Sequence, residues 1–456
     1  MIFGEKLTEM PISIVLIGDL EDDETAMILR FEVGNFLSIK ERVCLDLQAS
    51  ADIEHRETHT ETVDGETLLR SVAVYGANGS GKSNVLAALA FMRNFVQNSS
   101  KDSQQEEEIE VTPFRLSTET ENAPSFFEIE LLFEGVRYRY GFEVTRQNVH
   151  AEWLFAANSS REAELFTREK GAITCNSERF KEGRDFVERT RGNALFLSVN
   201  AQFAGEVSTR VLRAILACRF VRGNRPDRLL LSSTTRRLQD DEPFRVLALQ
   251  LLEAADLAIK GVRVESPTPR ESSESPELAV YDQGGFGRAV SAIKTLHTKY
   301  SADKEKIGQV EFDLLRSESG GTIRFVGLLA PIVDSLEKGT VLVVDELDAR
   351  MHPLMTRFLV NLFHGPSNPA GAQLIFATHD VNLLSNRYFR RDQIWFTEKD
   401  RYEVTHLYSL ADYRVDGEKV RKDASFAKDY LLGKFGAVPF IGDFMIQTTE
   451  AKPDAS

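Results

Sequence analysis

Gly76-Ala77-Asn78-Gly79-Ser80-Gly81-Lys82-Ser83 satisfies the pattern G-x-x-x-x-G-K-[ST], and its flanks give the match physical content. Ahead of it, Ser71 to Tyr75 reads as an apolar strand. Behind it, Val85, Leu89, Met92 and Val96 recur at helical spacing and predict a core-facing helix over 84–98. A strand, a glycine-rich loop and a helix in that order form a phosphate cradle. The glycines let the backbone wrap the anion, and the helix N-terminus supplies partial positive charge. Lys82 reaches the β- and γ-phosphates, and Ser83 is a ligand for Mg²⁺. All eight residues are therefore candidate nucleotide contacts, against the plainer reading of a glycine-rich turn.

Working outward, Val341-Leu342-Val343-Val344-Asp345-Glu346 is an apolar strand that delivers two carboxylates at its end. Asp345 would share the Mg²⁺ shell with Ser83. Glu346 would accept a proton from the attacking water, a role that contributes ~10²–10⁴-fold in rate. The plainer reading is a pair of solvated acids. Asp345 lies 263 positions after Lys82, too far for a compact hexameric AAA+ module without a large insertion. Ser319-Gly320-Gly321 falls 26 positions before Asp345, and Leu347-Asp348 follow the carboxylates. His379, in Phe376-Ala377-Thr378-His379-Asp380, closes the next apolar run.

Composition sets the frame. The chain has 456 residues, 42% of them hydrophobic, with 55 basic and 70 acidic side chains for a net charge of −15. That length suits about three domains and buries a sizeable core. No apolar run reaches the ~18–20 residues of a membrane helix, and the N-terminus lacks the pattern of a secretory signal, so a soluble cytoplasmic chain without a membrane partner is expected. Cys44, Cys175 and Cys218 are scattered, which supports neither a disulfide framework nor a zinc site. Residues 1–26 and 101–130 hold −13 of the −15, so the remaining body is near neutral and nucleic acid stays open as a partner.

Strand-like pieces begin at Ile28. Alternation in Phe127, Ile129, Leu131 and Phe133, a turn at Glu134-Gly135, and alternation back through Val136, Tyr138, Tyr140, Phe142 and Val144 predict a hairpin of an antiparallel sheet. The runs 341–344 and 374–377 suit central parallel strands. Residues 150–305 read as mixed and mostly helical, interrupted by the loop Ser266–Ser273.

Taken together, these residues resemble the ABC-type ATPase heads of the RecF, SMC and overcoming-lysogenization-defect (OLD) group. In that resemblance Ser319, Gly320 and Gly321 look like the signature, Asp348 like the D-loop, and His379 like the switch histidine that senses the γ-phosphate. Phe31 to Ser38 looks like the opening strand. His352-Pro353-Leu354 and Tyr430 to Pro439 are similar to the small OLD-like ATPases of bacterial phage-defence operons, of the RloA kind and the kind found in PARIS systems. The signature lacks the Leu-Ser-Gly-Gly-Gln form of transporters, and Pro113-Phe114-Arg115-Leu116 stands where a Q-loop is sought, without a glutamine.

The resemblance implies an α/β P-loop NTPase: an ABC-ATPase-like head with an antiparallel β subdomain and a mostly helical insertion. Its parts are an acidic appendage (1–26), an N-terminal lobe (27–150), the insertion (151–305), a C-terminal lobe (306–445) and a tail (446–456). The insertion either recognises a partner or only covers the head. The cofactors implied are ATP and Mg²⁺, with Glu346 and His379 catalytic. Two heads would close on ATP so that Ser319 and Gly321 of one face Lys82, Ser83, Asp345, Glu346 and His379 of the other. Turnover is expected to be slow. No second acidic metal constellation is visible, so the chain is not expected to cut nucleic acid. An effector in trans, commonly a Toprim-type nuclease, and a phage-encoded trigger are the partners implied. A RecF-like DNA-repair ATPase, a transporter subunit and an ATP-gated scaffold are the alternatives.

Overall fold

The computed structural model describes residues 25–100, 107–158, 161–223, 227–265, 279–281, 287–289, 292–415, 418–421 and 424–439. The acidic appendage except for its last two residues, the loop Ser266–Ser273 and the tail 446–456 lie outside the described residues.

In chain order the first half holds β1 (Ala26–Gly34), β2 (Val43–Asp46), α1 (Arg56–His59), β3 (Thr60–Val63), β4 (Glu66–Leu69), β5 (Ser71–Gly76), α2 (Lys82–Asn98), β6 (Ser125–Phe133), β7 (Val136–Val144), β8 (Val149–Ala157), β9 (Ala163–Glu169) and β10 (Ala172–Cys175). Next come α3 (Phe196–Gln202), α4 (Glu206–Ala217), β11 (Arg219–Val221), α5 (Asp227–Asp240), α6 (Glu242–Ala254), β12 (Gly261–Glu265), β13 (Ala279–Tyr281), β14 (Gly287–Ala289), β15 (Ala292–Tyr300) and β16 (Lys306–Asp313). The last part holds α7 (Leu314–Ser317), α8 (Gly320–Lys338), β17 (Val341–Val344), α9 (Pro353–Asn361), β18 (Gln373–Ala377), β19 (Ile394–Lys399), β20 (Thr405–Ser409), β21 (Arg414–Val415), β22 (Glu418–Lys419) and α10 (Phe426–Leu431).

Two sheets carry the head. The central one runs β11-β17-β18-β5-β19-β20, parallel from β11 to β19 and closed by antiparallel β20. Its inner strands β5, β17 and β18 are buried on both faces, as their continuous apolar runs require. Ala73, Tyr75, Leu342, Val344, Leu374 and Phe376 enter one core with α5, α6 and α8. Their neighbours Val72, Val74, Val341, Val343, Ile375 and Ala377 enter the other, with α2 and the second sheet. That second sheet is antiparallel, in the order β10-β9-β8-β7-β6-β1-β2.

The predicted hairpin is β6–β7, paired Phe127↔Phe142, Ile129↔Tyr140 and Phe133↔Val136. Glu134 (φ 50°) and Gly135 (φ 72°) are both left-handed, as a tight two-residue hairpin turn requires. The predicted helix over 84–98 begins earlier, at Lys82.

Residues 151–305 depart from the expected mostly helical insertion. Helices α3 to α6 occupy only 196–254. Strands β8 to β10 extend the antiparallel sheet, β11 joins the central sheet, and β12, β15 and β16 form a sheet of their own. The antiparallel sheet therefore continues past residue 150. Charged residues buried inside β8 and β9 break the apolar alternation that would have revealed them. Glu152 accepts hydrogen bonds from the N–H groups of Phe196 (2.7 Å) and Leu197 (2.9 Å) and from the Tyr140 hydroxyl (3.0 Å). Arg168 donates to the Ala194 carbonyl (2.8 Å). Among the described residues, no helix is long and apolar enough to cross a membrane.

Candidate nucleotide-binding site

The phosphate loop leaves the carboxyl end of β5 and feeds α2. Gly76 (φ 154°) and Gly81 (φ 108°) have backbone conformations that side chains rarely adopt, and both are crowded. A Cβ on Gly76 would lie 2.5 Å from Ser80 Oγ and from the Thr397 carbonyl oxygen; one on Gly81 would collide with Thr405. Gly79 has open space where its Cβ would stand. The loop is clamped from behind and open in front.

The clamp consists of hydroxyls remote in sequence. Ser80 Oγ and Thr397 Oγ1 are 2.6 Å apart, and Thr405 Oγ1 donates to the Ser80 carbonyl (2.9 Å). Thr405 Oγ1 also meets Ser38 Oγ at 2.7 Å, and Asn84 Nδ2 donates to Ser38 Oγ (2.5 Å). This network ties the loop to the turn after β1 and to the β19–β20 hairpin.

Lys82 is buried and donates from Nζ to the carbonyls of Gly76 (2.8 Å) and Ala77 (3.0 Å). Burial lowers its pKa to about 8 against the opposing pull of Asp345, Asp348 and Glu346. Both carbonyls belong to the loop itself, so the ammonium spans the cradle and is held only by neutral acceptors. A phosphate oxygen would favour its charged form further.

Asp345 stands one residue past β17, its N–H donating to the Val221 carbonyl of β11 (2.9 Å). The Ser83 hydroxyl donates to Asp345 Oδ1 (3.1 Å). Two hard oxygens so close at the mouth of a phosphate loop fit a Mg²⁺ shell, and Ser83 and Asp345 are the residues that would hold the ion. Bound there, Mg²⁺ would neutralise charge on the transferring phosphate.

Glu346 has a left-handed backbone (φ 52°), and Arg324 donates to the carbonyls of Asp345 (3.3 Å) and Glu346 (3.2 Å). Asp348 receives the His379 N–H, with both carboxylate oxygens at 3.3 Å. Burial, reinforced by Lys82, lowers the His379 pKa, which favours the neutral ring and leaves it one N–H to donate. Lys82, Ser83, Asp345, Glu346, Asp348 and His379 are thus gathered at the carboxyl ends of β5, β17 and β18. A cleft of about 880 Å³ opens beside them, lined by Ser83, Asn84, Phe91, Arg222, Asp345 and Glu346.

Ser319, Gly320 and Gly321 take no part in these contacts. Ser319 caps α8, its Oγ accepting from Thr322 N (3.0 Å), and a Cβ on Gly321 would fall 2.6 Å from the Arg350 carbonyl oxygen. Among the described residues, no hydrogen bond joins this segment to the phosphate loop. The Pro113–Leu116 segment packs on the turn after β1 instead of beside the carboxylates: Leu37 N donates to Thr112 O (2.9 Å) and Phe114 N to Asn35 Oδ1 (2.9 Å). The backbone flanking the carboxylates is the end of β11. Sequence reading missed β11, Arg324 and the hydroxyl clamp.

Residues 71–385 match the family described as "AAA domain, putative AbiEii toxin, Type IV TA system". The chain belongs to this family. The match spans the phosphate loop, the two carboxylates and His379, and an AAA domain supports ATPase activity in general. Among solved structures, an SMC head bound to the C-winged helix domain of ScpA aligns at 15% identity with a TM-score of 0.43, over 84% of this chain and 97% of that one. An SMC head from Thermotoga maritima gives 13% and 0.38, over 84% and 98%. An Smc head with an extended coiled coil, bound to the C-terminal domain of ScpA derived from Pyrococcus furiosus, gives 14% and 0.40, over 84% and 96%. No curated protein matches. The sheet order, the loop and the family assignment together make this AAA domain a P-loop NTPase of the ABC-ATPase-like kind.

Proposed function

We propose that this AAA-family chain is the ATP-hydrolysing sensor and scaffold subunit of a cytoplasmic bacterial anti-phage defence system. It closes head to head on Mg²⁺-ATP to control an effector encoded in trans, most simply a Toprim-type nuclease released by a phage-encoded trigger. The observation that carries this reading is the division of the site. Lys82, Ser83, Asp345, Glu346 and His379 converge, whereas Ser319 to Gly321 lie at the N-terminus of α8 without a hydrogen bond to them. A second protomer supplying its own α8 N-terminus would complete the site, and ATP state would then set assembly state. A family description that names an AbiEii-type toxin and a type IV toxin–antitoxin system supports a role in defence.

Glu346→Gln removes the base while leaving phosphate binding intact. In Mg²⁺-ATP it should accumulate as a closed dimer by light scattering and turn over ATP ~10²–10⁴-fold more slowly. A variant that stays monomeric in ATP and ADP alike would remove the head-closure reading. Co-purification with the product of the adjacent gene, with and without ATP, tests the effector.

A further inference from the structure

The end of β11 brings a charged residue to the carboxylates. Two observations fix how near it runs. The Asp345 N–H donates to the Val221 carbonyl (2.9 Å). A Cβ on Gly223 would fall 2.8 Å from Glu346 Oε2 and 3.1 Å from Glu346 Cβ. The Gly223 backbone is not left-handed, so what these distances report is how closely the chain passes the Glu346 side chain. Arg222, between these two residues, lines the cleft shared with Ser83, Asp345 and Glu346.

Other guanidinium groups on this wall have partners. Arg219 pairs with Asp334, Arg93 donates to the Leu216 carbonyl (3.3 Å), and Arg324 holds the Asp345 and Glu346 carbonyls. Arg222 is exposed and, among the described residues, makes no hydrogen bond, ion pair or ring contact. Glu107, Glu108, Glu110, Asp345 and Glu346 line the same cleft without an ion pair to Arg222, which leaves its guanidinium open to a phosphate arriving from the neighbouring loop. The Lys82 cradle and the Ser83–Asp345 pair direct the terminal phosphate of a nucleoside triphosphate toward this cleft. The planar donor fork of arginine matches phosphate oxygens.

We propose that Arg222 is a catalytic residue that binds the γ-phosphate and gives this site its preference for triphosphate over diphosphate. The proposal rests on the nucleotide-site reading above, and the two fail separately in the following experiment. Binding of ADP and of a non-hydrolysable ATP analogue, with Mg²⁺, is measured by calorimetry on the full chain. Arg222→Ala should weaken the analogue about 10- to 100-fold, the size of a lost charge-assisted hydrogen bond, with ADP changed by no more than about twofold. Arg222→Lys should restore part of the loss, because an ammonium keeps the charge without the fork. Equal weakening of both nucleotides, or an unchanged analogue, overturns the proposal. Lys82→Ala is the parallel measurement. If it loses both nucleotides while Arg222→Ala loses neither, Arg222 alone is removed from the role. If Lys82→Ala binds both as the parent does, the nucleotide reading falls and takes the proposal with it.

Discussion

The two ends of the central sheet handle polar groups in opposite ways. At the amino end, Gln373 accepts from Ile28 N (2.7 Å) and donates to the carbonyls of Ile28 and Leu69 (both 3.1 Å). Gln393 donates to Ser71 Oγ (2.9 Å) and to the Ser71 carbonyl (3.1 Å). His59 and His364 stack at 3.7 Å, with His55 4.6 Å from His59. These buried groups are held by protein partners and fasten β1 to the parallel sheet. At the carboxyl end the Ser83 hydroxyl is exposed, Lys82 is turned back on its own loop, and Arg222 makes no hydrogen bond or ion pair among the described residues. One end binds most of its polar groups to the protein; the other leaves several exposed or turned on the loop itself. The same sheet supports both because parallel strands point their last residues outward at one end only.

Breaking the carboxyl end should leave stability nearly intact and abolish turnover. Glu346→Gln carries the largest expected effect, equivalent to roughly 3–5 kcal/mol of barrier, with an unchanged denaturant midpoint. Turnover near that of the parent would return Glu346 to the status of a solvated acid.

The amino end should respond to acid. Burial lowers the His59 pKa to about 4, with His55, Arg390 and Arg70 adding to the shift, and holds the His364 pKa well below its ordinary value. The folded state then binds fewer protons than the unfolded chain, so stability is complete above pH ~6.5 and is lost as pH falls through about 4. For His59 alone this loss is about 3 kcal/mol. Urea titrations between pH 7 and 4 should show it in the parent and a flatter profile in His59→Gln. Parallel profiles would mean that carboxylates, not the histidine stack, set the acid limit.

Next in size, Gln373→Ala should cost about 2–3 kcal/mol, because it strands the buried N–H of Ile28 and two carbonyls. Nucleotide affinity should hold, since the loop lies at the other end of the sheet. A matching loss of affinity would show that the two ends are coupled. The smallest stability effect belongs to Ser319→Ala, about 1 kcal/mol for a lost helix cap. If α8 completes a partner's site, ATP-dependent dimerisation should fall far more than stability does. A purely structural cap would lower both in proportion.

Much of the carboxyl end was legible in sequence because its chemistry is local. Gly76 to Ser83 need only their own backbone and the next helix turn, and 341–346 announces a buried strand ending in two acids. The amino end and the clamp were not legible. Ser80 meets Thr397 and Ser38 meets Thr405 across 317 and 367 positions, and Gln373 meets Ile28 across 345. A serine, a threonine or a glutamine carries no mark that says which distant backbone it will satisfy. The three residues of β11 are too few to show a period, and Glu152 and Arg168 disguise β8 and β9 as surface.

By itself, then, the sequence determined the phosphate cradle, the two carboxylates, the β6–β7 hairpin and the alternation that buries the central strands, since each depends on contacts within about one helix or one strand pair. Only the tertiary structure decided that β8 to β10 join the antiparallel sheet and β11 the central one, that Arg222 lines a cleft with Glu346 while Gly223 passes close to it, and that, among the described residues, Ser319 makes no hydrogen bond to the phosphate loop. Those arrangements arise from pairing strands and burying side chains across hundreds of positions, where the partner of each polar group is fixed by the fold as a whole.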